Sequence, residues 1–95
     1  MAIVVLIPGA LRPHAGGANR VELEARAGTV AQALAALWAA HPGLRGNLLD
    51  ERGVVRQHIN IFVGVEDIRW TGGLDSPVPD GAEISIIPAV SGGGA

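Results

Sequence analysis

The pattern of hydrophobic and polar positions along the chain predicts five strands and one helix. Residues 2–7 form an unbroken apolar run of mostly β-branched side chains, which is typical of a central strand that is apolar on both faces rather than of an edge strand. Residues 20–25 alternate polar and apolar side chains and predict a strand with one face in solvent. Residues 58–63 predict a third strand, residues 68–70 a short fourth, and residues 83–88 a fifth that closes the sheet.

The helix is predicted over about residues 29–41. Thr29 is a suitable N-cap, the interior is rich in Ala and Leu, and Pro42 and Gly43 follow its end. At helical spacing, one apolar stripe consists of Val30, Leu34, Leu37, Trp38 and His41. We interpret Trp38 and His41 as core and helix-end residues rather than metal ligands, because neither has a second ligand-type residue at ligand spacing.

The order of these elements predicts the fold class. Two strands, a helix, a strand, a short strand and a last strand, with one helix on one sheet face, is the order of the α+β β-grasp, or ubiquitin-like, architecture. We expect a mixed sheet of four or five strands in which the last strand lies parallel to the first. Short helical turns and loops connect the rest, with turns at 43–57 and 64–67. The domain is predicted over residues 1–90, followed by a flexible, Gly-rich tail over residues 91–95.

One sheet face is predicted to remain open, because a single helix is too narrow to cover both sides of such a sheet. Strand alternation directs four apolar side chains away from the helix, namely Val4, Leu6, Phe62 and Ile87. An uncovered apolar patch on a small protein usually binds a partner, so these residues are the predicted docking patch. The alternative is that the loops at 9–19 and 71–81 cover them.

Composition excludes several function classes. The chain has 95 residues, enough for one domain, and its 48% hydrophobic content is globular rather than disordered. The net charge of −2 and the scattering of the seven basic residues, all Arg, argue against nucleic acid as a partner. The apolar start is too short to span a membrane and lacks a basic flank, so we expect a cytoplasmic protein with no membrane partner.

Candidates for catalysis inside the domain are few. The chain has no Cys, and its three His residues show no metal-binding spacing, so no resident cofactor or metal is expected. Ser76, Ser85 and Ser91 lack the setting of an activated nucleophile, and Glu66 and Asp67 are adjacent carboxylates typical of a solvated turn. We therefore predict that the protein is not an enzyme.

The chain terminus is the remaining candidate for a reactive group. Ser91, Gly92, Gly93 and Gly94 form a stretch thin enough to enter a tunnel that excludes ordinary side chains, and this would bring a terminal carboxyl to a partner's active site. The alternative is an ordinary disordered chain end.

Five segments carry a resemblance to a known family: residues 11–17, 60–63, 66–69, 72–74 and 87–93. In this order they make the chain similar to the ThiS/MoaD family of ubiquitin-like sulfur carriers over essentially its whole length, and most similar to the CysO branch. The resemblance implies a non-enzymatic protein whose terminal glycine carboxylate is adenylated with ATP by a ubiquitin-activating-type partner and then converted to a thiocarboxylate.

The resemblance also implies the partners that follow. In the CysO branch, the sulfur passes to an aminoacrylate on a pyridoxal-phosphate (PLP)-dependent cysteine synthase that uses O-phosphoserine, and a JAMM-type zinc peptidase releases cysteine. Thiamin, molybdopterin or a sulfur-containing natural product are the other possible destinations.

The position of the functional terminus is open between two glycines. The family pattern ends in Gly-Gly, whereas this chain continues to Ala95. Counting from Pro88 gives Gly93 as the thiocarboxylate and adenylation site, and counting from the end gives Gly94. Both imply a peptidase that trims the surplus residues, unless Ala95 is a cloning remnant. Two other functions also stay open: a protein modifier conjugated through its terminal glycine, and a plain β-grasp interaction module.

Overall fold

The computed structural model describes residues 2–23 and 28–88, which build a mixed five-stranded sheet with helical segments on one side. The elements are β1 (Ile3–Leu6), β2 (Arg20–Leu23), α1 (Val30–Ala40), α2 (Arg45–Leu48), β3 (Ile59–Val63), β4 (Glu66–Asp67) and β5 (Glu83–Pro88). The strand order is β2-β1-β5-β3-β4, and β1 and β5 are parallel while the other neighbours are antiparallel. This is the predicted β-grasp fold, with the last described strand at the centre of the sheet.

The core lies between the sheet and α1. Alternate residues of the central strands are fully buried there, with Ile3, Val5 and Ile84 at 0% exposure. From α1, the buried side chains are Val30, Ala33, Leu34 and Leu37. Trp38 is half-buried and packs against this cluster, as predicted. Because β-branched side chains suit a pleated surface that is covered by a helix, the unbroken apolar run at the start of the chain becomes an interior strand.

The start of α1 is fixed by a reciprocal cap. The Thr29 hydroxyl accepts a hydrogen bond from the Gln32 backbone N–H at 3.2 Å, and the Gln32 side-chain oxygen accepts one from the Thr29 N–H at 3.0 Å. The cap satisfies N–H groups that the first turn of a helix leaves without partners. The N-cap prediction at Thr29 is therefore confirmed, and α1 ends at Ala40 with His41 as its C-cap.

Two local predictions are wrong. Residues Ile68–Trp70 form a 3₁₀ turn instead of a strand, because the Asp67 side chain accepts the Arg69 N–H at 2.9 Å and caps that turn. Glu66 and Asp67, predicted to lie in a turn, form β4, and the turn consists of Gly64 and Val65 with Gly64 at φ 62°. The predicted strand at residues 20–25 is described only as far as Leu23.

The long connections hold further 3₁₀ turns, at Gly9–Ala15, Pro42–Leu44 and Gly73–Asp75. All three belong to the helix side of the sheet: the last two pack against α1, and Gly9–Ala15 packs against Pro42–Leu44. Val78 donates its N–H to the Gly28 carbonyl at 3.2 Å, and this bond holds the end of the loop at 71–81 next to the start of α1. The loops at 9–19 and 71–81 therefore pack with the helices on the same side of the sheet.

Candidate functional site

The predicted reactive segment, Ser91, Gly92, Gly93 and Gly94, lies outside the described residues, as does the predicted domain boundary at residue 90. The structure does give the position from which this segment starts. β5 is the central strand, and its last residue, Pro88, is the ladder partner of Ile59 at the beginning of β3. Residue 89 therefore follows directly after the central strand, at the end of the sheet where β3 begins.

The four predicted patch residues share the sheet face opposite α1. Each has at least one sequence neighbour buried in the core, and side chains alternate between faces along a strand. These buried neighbours are Ile3, Val5, Ile7, Ile61 and Ile86. Leu6 and Phe62 are the residues across the ladder from Ser85 on either side of β5, so the Ser85 side chain lies between them. Val4, Leu6 and Phe62 are half-buried, and Ile87, nearest the root of the tail, is 47% exposed.

Polar residues frame this apolar patch. Arg20 is opposite Leu6 at the β2 edge, and Asp67 is opposite Phe62 at the β4 edge. Glu22 and Glu83 flank Val4 on its two sides. An apolar centre within a polar rim is the usual composition of a protein docking surface. Arg20 and Glu22 are 3.5 Å apart but both exposed, so their ion pair contributes little to stability.

The 3₁₀ turns of the two loops contact the helix layer. The segments at 9–19 and 71–81 pack into the helix layer, through Gly43 against His14 and through the hydrogen bond from Val78 to Gly28. Whether the patch docks a partner stays a prediction, and so does the alternative that the loops at 9–19 and 71–81 cover it.

Sequence reasoning missed the polar members of this face. Ser85 lies in its middle, and Arg20 and Asp67 mark its two edges. Ser85 has the same parity along β5 as Ile87, so alternation alone would have included it. The pairing of Asp67 with Phe62 required β4, which the sequence analysis assigned to a turn.

Over residues 2–23 and 28–88, no three His, Cys, Asp or Glu side chains are placed to hold a metal ion. None of the helices found in the same residues has the length and apolar character needed to cross a membrane. Asp50 is a titratable group with a perturbed environment: hydrogen bonds from the Val54 N–H and then from Arg52 hold the pKa of its carboxyl below the ordinary value. Asp50 orders a loop and is not part of the patch.

Comparison with known proteins agrees with this fold. The model of the ThiS family matches residues 5–93. The sulfur carrier protein CysO of Mycobacterium tuberculosis is 38% identical over 95 residues, covering 98% of this chain and 100% of the relative. One chain of the crystal structure of the Amycolatopsis orientalis BexX/CysO complex superposes with a TM-score of 0.87 at 37% identity, covering 96% of this chain and 99% of that one.

A third similar protein is named as a modifier protein and not as a sulfur carrier. The crystal structure of small archaeal modifier protein 1 from Haloferax volcanii gives a TM-score of 0.80 at 27% identity, covering 94% of this chain and 98% of that one. The family match extends over almost the whole domain and continues into the segment after β5. The chain therefore belongs to the ThiS family of ubiquitin-like β-grasp proteins.

Proposed function

We propose that this protein is a sulfur carrier whose terminal glycine, once exposed by trimming, is adenylated by a ubiquitin-activating-type partner and converted to a thiocarboxylate. Membership of the ThiS family and the likeness to CysO over the whole chain support this proposal. The sulfur then passes to a biosynthetic enzyme. Cysteine biosynthesis is the favoured destination, since CysO proteins are the similar carriers, with a PLP-dependent synthase as acceptor and a JAMM-type peptidase as the releasing enzyme.

The observation that carries the proposal is the position of Pro88, the last residue of β5, from which the tail starts; we call this position the root of the tail. A segment of small residues continues from the central strand, directly beside Ile87 of the apolar patch. A partner that docks on the patch would hold the carrier body by a rigid sheet while the tail reaches into its active site. Holding the body rigidly supplies the positioning that turns a reaction between two molecules into one within a complex.

The chemistry requires only the backbone carboxyl of this chain. A carboxylate oxygen attacks the α-phosphorus of ATP, pyrophosphate leaves, and the product is an acyl-adenylate. Sulfide, or a donor equivalent to it, then attacks the acyl carbon and AMP leaves, so that one oxygen of the carboxylate is replaced by sulfur. The activating partner binds the ATP. Since the chain contains no Cys, no internal thiol competes for the activated carbon.

Gly93 is the proposed functional terminus. The match to the ThiS family ends at residue 93, which supports counting the Gly-Gly pair from Pro88. Gly94 remains the alternative, with Ala95 as the only surplus residue. A trimming peptidase follows from either choice.

The decisive test uses three forms of the chain, which end at Gly93, Gly94 or Ala95. Each is incubated with ATP, sulfide and the adenylating enzyme encoded nearest to it, and its intact mass is recorded. We expect the form ending at Gly93 to show the replacement of one oxygen by sulfur, and the form ending at Ala95 to remain unchanged until it is trimmed. Adenylation of the untrimmed chain, or no sulfur in any form, would contradict the proposal.

A second candidate function is supported by the likeness to small archaeal modifier protein 1. A modifier would form an amide between its terminal glycine and a lysine of a target. The absence of Lys from this chain forbids lysine-linked chains of the protein itself but not its attachment to a target. Adducts that survive denaturing gels and thiol treatment would favour the modifier. For a plain interaction module, deletion of residues 92–95 would leave every activity intact.

A further inference from the structure

An apolar groove of about 470 Å³ lies on the helix side of the sheet, where α1 does not reach. Ile59 and Ile61 of β3 line it from the sheet, and Val54 and Val55 line it from the preceding loop. Ile68 and Leu74, from the two 3₁₀ turns after β4, complete the apolar lining. The volume is that of a site for a small ligand or for two or three side chains. Val54, at 50% exposure, leaves an apolar side chain at its mouth.

Hydrogen bonds fix the wall that carries Val54. The Asp50 carboxylate accepts the backbone N–H of Arg52 at 2.8 Å and that of Val54 at 3.1 Å. Arg56 donates its backbone N–H to the Leu48 carbonyl at 2.9 Å, which ties the end of the loop to α2. The wall is therefore ordered before anything binds, and a preformed site costs a ligand less conformational entropy.

The opposite wall is held in a similar way. The Asp67 side chain caps the turn Ile68–Trp70. Thr71 and Ser76, which precede and follow Leu74 in the sequence, have their hydroxyls hydrogen-bonded at 2.7 Å. Ser76 is buried and Thr71 is half-buried, so this contact is partly shielded from water.

The charged residues that line the groove are two arginines and one aspartate, Asp67. Arg56 and Arg69 both line it. Arg69 is 3.7 Å from Asp67, whereas Arg56 donates its Nε–H to the Gly46 carbonyl at 2.9 Å and forms no ion pair with any carboxylate of the described residues. An Arg whose terminal nitrogens lack an anionic partner is suited to bidentate recognition of a carboxylate.

The apolar lining and the charged rim together indicate which of three occupants fits the groove: the tail of this chain, a second copy, or a segment of a partner protein. The chain's own tail offers one sizeable apolar side chain, Val90, which would fill little of the volume. A second copy placed groove to groove would bring two arginine-bearing rims together, at a cost in repulsion. A segment that combines apolar side chains with flanking carboxylates matches both the lining and the rim.

We propose that this groove binds an extended peptide segment of a partner protein, in which Leu, Ile or Val side chains enter the groove and flanking Asp or Glu residues pair with Arg56 and Arg69. The groove opens on the side of the sheet opposite the patch of Val4, Leu6, Phe62 and Ile87. It includes Ile59, the ladder partner of Pro88. One partner can thus be held at the groove while another occupies the patch, both next to the root of the tail. The inference does not depend on the chemistry of the tail.

The test is a titration of the isotopically labelled full chain with a synthetic peptide, followed by amide chemical shifts and by fluorescence anisotropy. The probe is a short peptide of alternating Leu and Val flanked by Glu, and its counterpart has Lys in place of Glu. We expect shifts confined to the 53–57 and 67–74 segments and β3, and a Kd about tenfold tighter for the acidic peptide than for the basic one.

Matched variants assign the binding to the groove. Val54→Asp should weaken the acidic peptide about tenfold, and Arg56→Glu should weaken it by a similar factor or more. Their controls are Val65→Asp, at an exposed valine of the β3–β4 turn, and Arg45→Glu, at an exposed arginine of α2; both residues are outside the lining, and both variants should bind as the unaltered chain does. Dispersed amide spectra for all four variants show that each is folded.

Four outcomes would overturn the proposal. No saturable binding up to about 1 mM peptide would exclude a site of this chemistry. Equal affinity for the acidic and basic peptides would remove the role of the arginines. Tighter binding after deletion of residues 89–95 would identify the tail as the occupant, and a change in molecular mass with Val54→Asp would identify a second copy. The proposed sulfur-carrier function is tested separately, by the intact mass of the chain after incubation with ATP and sulfide.

Discussion

Single residues show where the sequence is informative and where tertiary structure decides. The alternation of apolar side chains correctly separated Ile3 and Val5, which are buried, from Val4 and Leu6 on the open face. Nothing in the sequence marked Ser76, which lies in a loop of turn-forming residues. Its importance comes from neighbours that the fold brings to it, because hydrogen bonds between turns have no periodic signature.

Ser76 is nevertheless buried and connects two turns with the helix. Its hydroxyl is 2.7 Å from that of Thr71, and its carbonyl accepts the Val30 N–H at 3.0 Å. Ser76→Ala removes a buried hydroxyl and leaves Thr71 without its nearest partner, so the free energy of unfolding should fall by about 1–2 kcal/mol.

Urea denaturation measures this change, and Ser85→Ala is the matched control. Ser85 lies on the open face, where its hydroxyl has no hydrogen-bond partner among the described residues. That variant should change stability by less than about 0.5 kcal/mol. Equal effects at both positions would show that the Thr71 contact does not stabilise the fold.

At the level of elements, the helix was predictable and the β4 region was not. α1 combines a cap signal, strong helix formers and a Pro-Gly stop, and each of these is local. The stretch Ile68–Trp70 has strong β propensity, yet the Asp67 cap turns the chain into a 3₁₀ turn. Three residues carry too little propensity to outweigh one well-placed side-chain hydrogen bond.

The capping box at Thr29 is the contact to test in this helix. Thr29→Ala removes the acceptor for the Gln32 N–H, so stability should fall by about 1 kcal/mol. Thr29→Ser retains the hydroxyl and should recover most of that loss. Thermal unfolding followed by circular dichroism compares the three chains. If Thr29→Ser is as unstable as Thr29→Ala, the methyl group and not the cap is responsible.

For the whole molecule, the order of elements was sufficient to predict the β-grasp class and the parallel pairing of the first and last strands, but not the full strand order. The open face followed from the same reasoning, since one helix covers one side of the sheet. The groove could not be predicted. Its walls come from irregular segments at 53–57 and 67–74, and side chains from such segments meet only after the chain has folded.

The docking role of the open face is tested with Phe62→Asp. Phe62 is half-buried and points away from the core, so the variant should fold. Under the proposed function, placing a carboxylate at the centre of an apolar interface should raise the KM of the adenylating partner for this protein by about tenfold or more. Val65→Asp, at a side chain that is 93% exposed in the β3–β4 turn, is the control and should leave KM unchanged. Unfolding of Phe62→Asp would show that the patch belongs to the core.

The central position of β5 affects how the protein is made. Translation from the N-terminus produces β1 and β2 early and β3 and β4 later, but neither pair touches the other in the sheet except through residues 83–88. Until that stretch has emerged from the ribosome, no strand joins the two pairs, and an isolated two-stranded hairpin is at best marginally stable in water. A chain that ends before residue 83 therefore lacks the strand that joins the two pairs and cannot form the five-stranded sheet.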